Sequence, residues 1–319
     1  MTDCSVTNTP IILCDRLSQD DRVDFEKCKL VYFDLETTSR STSCDICQIA
    51  AVHEDTEFSI YVMPSQAITS GASAVNKLKI SEGIMMLNNV PVKAVSKEMA
   101  FEKFICYLQN ISMGCGVILI AHNCFRFDAP ILLKNVERIG LLEALQSVVV
   151  GFADTLPILH EHLPERKRNK LSFSQVQLAC DYIGVEATEN AHNAVQDVRV
   201  LSKLIIILGV GESMMKAKAK SLQRIVNTLN TKDEICQRQK GLQYLSKGVS
   251  KGMLTKIAVA GISFGMLQKT WQDNGVEGIT LLLAEHVGNG PRVTKNKKII
   301  EKLITELQLI SNKENCTPV

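Results

Sequence analysis

The sequence predicts an α/β domain with a mixed sheet, followed by a small all-helical module. Three observations carry that expectation. Short apolar runs rich in β-formers alternate with amphipathic helical stretches between residue 29 and about residue 208. Ile46 to Val52 and Glu57 to Val62 flank the polar tip His53-Glu54-Asp55-Thr56, as a hairpin requires. From Gly241 onward only helical periodicity remains, punctuated by Gly252, Gly261, Gly275 and Gly290.

A chain of 319 residues has room for one large α/β domain and a small second one, and 45% hydrophobic residues suffice for a sizeable core. The net charge of +2 hides an asymmetry. From residue 211 to the end there are 17 Lys and Arg against 9 Asp and Glu, while residues 1–210 hold 19 against 25. An acidic front with a basic back suggests a metal-binding body joined to something that meets polyanions. The 11 cysteines form no disulfide framework, and no signal peptide opens the chain. Both point to free thiols in a reducing compartment, with Cys44-Asp45-Ile46-Cys47 lacking a second pair at zinc-site spacing. No apolar run approaches the roughly 18 to 20 residues that cross a bilayer. The expectation is a soluble intracellular protein, nuclear or cytoplasmic, with no membrane partner.

Taken in order, residues 1–28 read as a poorly ordered lead-in. Leu30-Val31-Tyr32-Phe33 is a strand buried on both faces, ending in Asp34-Leu35-Glu36-Thr37-Thr38. The hairpin follows. Residues 64–93 read as irregular, broken by Pro64, Gly71, Gly83 and Pro91. Ser96 caps a helix carrying Met99, Phe101, Phe104, Ile105 and Leu108 on one face. Val117 to Ala121 is a fourth strand, and Pro130 then makes Asp128 a candidate N-cap. Val148 to Phe152 is a fifth strand, after which Asp154 caps the next helix. Pro164 to Lys170 reads as a basic loop, Ser172 as the cap of a helix to Tyr182, and Ala194 to Leu208 as a long helix. Residues 210–240 read as a helical connector, 241–312 as the helical module and 313–319 as a tail. Trp271 reads as core.

Carboxylates collect where strands end and helices begin. Asp34 and Glu36, two apart in an extended chain, point to one side. Their charges repel unless a cation sits between them, and carboxylate oxygens suit Mg²⁺ or Mn²⁺. Alone, the pair reads equally well as a surface strand end before a Thr-Thr-Ser turn. Asp128, Asp197 and His192 change the balance. Five residues along a helix is about 500°, so His192 belongs to the loop before the helix and folds back towards Asp197. Four acids and a histidine fit two-metal phosphodiester hydrolysis, with ions about 4 Å apart clamping the attacking and leaving oxygens. Histidine serves as base because its ordinary pKa of about 6.5 lies near working pH.

These residues resemble the DEDDh exonucleases, which have a ribonuclease H-like fold. Phe33-Asp34-Leu35-Glu36-Thr37-Thr38 looks like the first motif and His122-Asn123-Cys124-Phe125-Arg126-Phe127-Asp128 like the second, at the spacing of three-prime repair exonucleases. Ala191-His192-Asn193-Ala194-Val195-Gln196-Asp197-Val198 is similar to the third, with the His-x4-Asp spacing of the histidine branch. The likeness covers about residues 29–208, and the whole chain is closer in character to PML-like proteins with an exonuclease-like domain than to the repair exonucleases. It implies a ribonuclease H-like mixed five-stranded sheet flanked by helices, in a domain spanning 29–209. It further implies that Asp34, Glu36, Asp128 and Asp197 hold two Mg²⁺ ions, replaceable by Mn²⁺, and that His192 is the general base. Leu35 and Thr37 would touch the terminal nucleotide, while His122 and Asn123 shape the site. The implied activity is 3′–5′ exonuclease action on DNA or RNA with a free 3′ end. The rival expectation is a catalytically silent exonuclease fold that binds nucleic acid or scaffolds protein. The helical module is expected to bind nucleic acid or protein.

Overall fold

The computed structural model describes residues 23–184 and 192–314. Most of the expected lead-in, Ala191 of the third motif and the end of the expected tail lie outside them. The chain divides into two compact units, Met1–Val226 and Asn227–Val319.

The first unit is built on β1 (Lys29–Thr37), β2 (Ile46–His53) and β3 (Thr56–Val62), with β2 and β3 joined through Glu54-Asp55. Residues 64–93, which read as irregular, instead form α1 (Ser70–Asn76) and a small sheet of β4 (Leu78–Ser81), β5 (Ile84–Leu87) and β6 (Val90–Pro91). These pieces are too short to show periodicity, and buried Leu78 and Met85 anchor them against Cys47 of β2 and Tyr61 of β3. β7 (Ala94–Val95) leads into α2 (Lys97–Ser112), where the Ser96 hydroxyl accepts the Met99 N–H at 3.3 Å. Phe101, Phe104, Ile105 and Leu108 are buried, but Met99 is exposed. It sits in the first turn, opposite the core-facing stripe.

β8 (Val117–Ala121) is buried at every position, as a central parallel strand should be. After it come α3 (Asp128–Arg138), α4 (Leu142–Gln146), β9 (Val149–Asp154), α5 (Thr155–His162), α6 (Pro164–Arg168), α7 (Gln175–Tyr182) and α8 (Ala194–Ile207). Several expected caps move. Asp128 lies in the first turn of α3 behind Phe127 and makes no capping bond. Ser174, not Ser172, accepts the Gln177 N–H, with the Ser172 hydroxyl bonded to Ser174. The basic loop is the short helix α6, and Arg166 is buried in an ion pair with Asp181 at 2.7 Å.

The chain does not leave this unit at residue 209. α9 (Glu212–Lys218) and β10 (Lys220–Ser221) follow, Val210 and Met215 are buried in its core, and β10 pairs with β9. Gly151 makes the pairing possible, since a Cβ there would come to 2.6 Å from the Lys220 carbonyl oxygen. The sheet therefore has seven strands, in the order β10-β9-β8-β1-β2-β3-β7. The two beyond the expected five are two-residue edges that carry no hydrophobic run. β1, β8 and β9 are parallel, whereas β2 runs antiparallel to β1. α8 packs on β1 and β2 through Ala194 and Val198 against Ala50.

α10 (Leu222–Leu242) carries the chain across the unit boundary. The second unit adds a 3-10 turn at Gln243–Leu245, α11 (Lys251–Val259), α12 (Phe264–Ala284), a hairpin of β11 (His286–Val287) and β12 (Gly290–Pro291), and α13 (Lys297–Glu314). Gly275 (φ 54°, ψ −140°) interrupts α12, at the gap expected between two helices. Leu245, Ile257, Ile262, Leu267, Ile279 and Leu307 form the core, and Trp271 packs against it.

Candidate active site

β1 runs between an antiparallel and a parallel neighbour, and open α/β sheets bind ligands beyond strand ends at such a change of direction. Asp34 and Glu36 point to one face of it. The register against β2 slips between Glu36 and Thr37, so that Glu36 lies opposite Gln48 and Thr37 opposite Ile46. A bulge of this kind re-aims the side chains beside it. Asp197 reaches the pair from the first turn of α8, which packs on β1 and β2. One carboxylate oxygen from each of Asp34, Glu36 and Asp197 lies within 4.8 Å of the others.

Asp128 comes from the turn after β8. It is outside that radius, yet its charge is the next cause after burial in raising the Asp34 pKa. The turn is braced by Asp154, whose carboxylate accepts the Leu156 N–H at 3.0 Å as the cap of α5 and the Phe125 N–H at 3.1 Å. Asn123 takes the left-handed conformation (φ 61°), which asparagine tolerates, and its carbonyl accepts the N–H groups of Arg126 and Phe127. Both ring nitrogens of His122 are engaged, one with the Thr155 hydroxyl and one with the Phe173 carbonyl, each at 2.8 Å. Burial pushes its pKa down, and a neutral ring serves both bonds.

His192 also has φ in the left-handed region, at 69°. Its backbone N–H donates to Asp197 Oδ2 at 2.9 Å, and its side chain is exposed. The residue does precede the helix and fold back on Asp197. The Asn193 side chain caps α8, and the Gln175 amide donates to the Asp197 carbonyl at 2.8 Å.

All four acids are driven towards protonation. Burial raises Glu36 to about 8, helped by the charges of Asp197 and Asp128 and opposed by a hydrogen bond from Asn76. Burial likewise lifts Asp128 to about 8 and Asp197 to about 6, the latter opposed by the His192 N–H and charge. Asp34 is pushed well up by burial and then by Asp128, Asp197 and Glu36. Among the described residues no lysine or arginine pairs with any of the four. Hard oxygen donors, converging and uncompensated, fit a divalent cation such as Mg²⁺ or Mn²⁺.

The Leu35 side chain alternates to the face of β1 opposite Asp34 and Glu36 and is 4% exposed. Thr37 is also buried, with its hydroxyl donating to the Ser39 carbonyl at 2.8 Å. His122 organises the turn and has no ring nitrogen left for a substrate. Asn76 was missed. It is buried, donates to the Thr37 carbonyl at 3.2 Å and bonds Glu36, but it lies where the sequence reads as irregular. Thr155 was missed too, because nothing local links it to a histidine 33 residues earlier.

Residues 28–179 match the family described as the Exuperantia RNAse H-like domain. Residues 238–308 match the C-terminal domain of PML. The maternal protein exuperantia of Drosophila melanogaster is 28% identical over 138 residues, 40% of this chain and 26% of that protein. The chloroplastic/mitochondrial exonuclease DPD1 of Arabidopsis thaliana is 23% identical over 205 residues, 60% of this chain and 59% of that one. A solved structure of exonuclease I superposes with a TM-score of 0.46 at 15% identity, covering 60% of this chain and 42% of the other. The matches thus span between about a quarter and three fifths of these proteins' own lengths. Residues 28–179 thus resemble the RNase H-like domain of exuperantia, and the chain is similar over part of its length to the exonuclease DPD1.

Proposed function

We propose that the first unit is a metal-dependent exonuclease that removes nucleotides from the 3′ end of DNA or RNA by phosphodiester hydrolysis. The convergence of Asp34, Glu36 and Asp197 carries this reading. Asp34, Glu36, Asp128 and Asp197 are the residues that would hold two Mg²⁺ ions, with Mn²⁺ as a substitute. Bound there, the pair supplies charge neutralisation and Lewis-acid polarisation of the scissile phosphate. His192 acts as general base, its solvent-open imidazole taking the proton of the attacking water. Its N–H bond to Asp197 keeps that base beside the acids. Asn76 orients Glu36, and the Asn123 side chain, which makes no hydrogen bond among the described residues, is available to the terminal nucleotide. The second unit, with 13 Lys and Arg against 8 Asp and Glu over residues 227–319, serves as a nucleic-acid or protein contact.

Oligonucleotides labelled at the 5′ end, incubated with the purified protein in Mg²⁺ or EDTA, test the reading. The expected result is a ladder of shortened labelled products in Mg²⁺ alone. Intact DNA and RNA in both Mg²⁺ and Mn²⁺ refute it. A second reading, a silent exonuclease fold that binds without cutting, draws on the match of residues 28–179 to the Exuperantia domain. Binding without cleavage in the same assay favours it.

A further inference from the structure

A cluster of acids repels the phosphates it would cleave, and residues 1–210 carry 19 Lys and Arg against 25 Asp and Glu. A strand entering the site therefore needs cations that the domain has not already neutralised. Lys220 is one. It forms no ion pair among the described residues, and its Nζ lies 4.0 Å from the centre of the Phe125 ring. An ammonium over an aromatic face is held by the ring quadrupole without losing its charge. Its orientation is set in advance while its donors stay open to an anion.

The placement matters as much as the charge. Phe125 belongs to the turn that delivers Asp128, and its N–H is bonded to Asp154. Lys220 lies opposite Phe152, two residues before Asp154, on the edge strand β10. In the sheet order β10 is three strands from β1, about 14 Å at about 4.8 Å per strand. Roughly four stacked nucleotides at about 3.4 Å each span that distance.

We propose that Lys220, held on Phe125, is a subsite for a backbone phosphate of the nucleic-acid strand whose end lies at the acids. The proposal rests on reading those acids as a phosphodiester-cleaving centre. Phe125 is the platform and Lys220 the contact, since the lysine already covers one face of the ring.

Binding of the full chain to a long single-stranded oligonucleotide across a salt series, in EDTA so that nothing is cut, tests it. Lys220→Gln should weaken binding about five- to tenfold at low salt and make the salt slope shallower by about 0.7, one phosphate's share on a single strand. Lys220→Arg should restore both, and Phe125→Leu should give a smaller loss. A dinucleotide, too short to reach from the acids, should bind both proteins alike. Lys220→Gln with wild-type affinity and slope overturns the subsite, as does an equal loss in Lys220→Arg or a wild-type protein that binds no oligonucleotide. Cleavage in Mg²⁺ is scored separately. Lys220-dependent binding without cutting refutes the exonuclease and supports the subsite.

Discussion

Glu36→Gln should stabilise the metal-free protein at neutral pH while removing most of its stabilisation by Mg²⁺. Glu36 is 9% exposed, and burial, then Asp197 and Asp128, raise its pKa from 4.5 to about 8 despite the Asn76 hydrogen bond. A folded pKa above the unfolded one means that the favourable contribution is complete below pH 4 or so. It is lost as pH rises through about 8. At pH 7 the unfolded side chain is ionised and the folded one must hold a proton. At about 1.4 kcal/mol per unit this costs about 3 kcal/mol. Neighbouring acids share the proton, so one substitution recovers about 1–3 kcal/mol. Glutamine needs no proton and can still accept from Asn76. For a unit of this size the gain corresponds to a melting temperature about 3–10 °C higher. Calorimetric melts from pH 5 to pH 9, in EDTA and in Mg²⁺, read this directly. Wild-type melting temperature in EDTA should fall as pH rises and recover with Mg²⁺, because the cation replaces the protons. A wild-type curve flat between pH 5 and 8, or a Glu36→Gln protein melting below wild type in EDTA, refutes the argument.

Asp34→Ala or Asp197→Asn should abolish turnover through kcat rather than KM, because the lost interaction is one that strengthens in the transition state; activity of either variant near wild type, or of wild type in EDTA, removes the metal role. His192→Ala should cost about a hundred- to ten-thousand-fold in kcat and erase the rise of kcat with pH, while calorimetric Mg²⁺ binding is kept. His122→Ala should destabilise by about 1–3 kcal/mol by orphaning the Thr155 hydroxyl and Phe173 carbonyl, with urea melts as the readout. A protein ending at Val226 should still cut, since Asp34, Glu36, Asp128, His192 and Asp197 all precede that point, but should bind long strands with a shallower salt slope. An identical slope makes the second unit a protein contact.

Asp34 and Glu36 were legible together because alternation along a strand is a local rule, and His192 before Asp197 because helical pitch is another. The caps were half legible. Ser96 and Asp154 serve as expected, but Phe127 takes the N-cap position of α3 and Asp128 lies in its first turn. Arg166 shows the opposite failure. A run of basic residues reads as a loop, yet Arg166 is buried against a partly exposed Asp181, 15 residues away.

By itself the sequence determined the longer strands and helices, the strand ends that carry acids and the mainly helical nature of the back third. These follow from periodicities of two and 3.6 that act within a few residues. Only the tertiary structure decided that Asp197 stands within 4.8 Å of Asp34 and Glu36, that Asn76 and Thr155 brace the site, and that the sheet extends to Lys220. Those contacts depend on sheet order and register, which are set by burial summed over residues far apart in the chain. No local pattern records that sum.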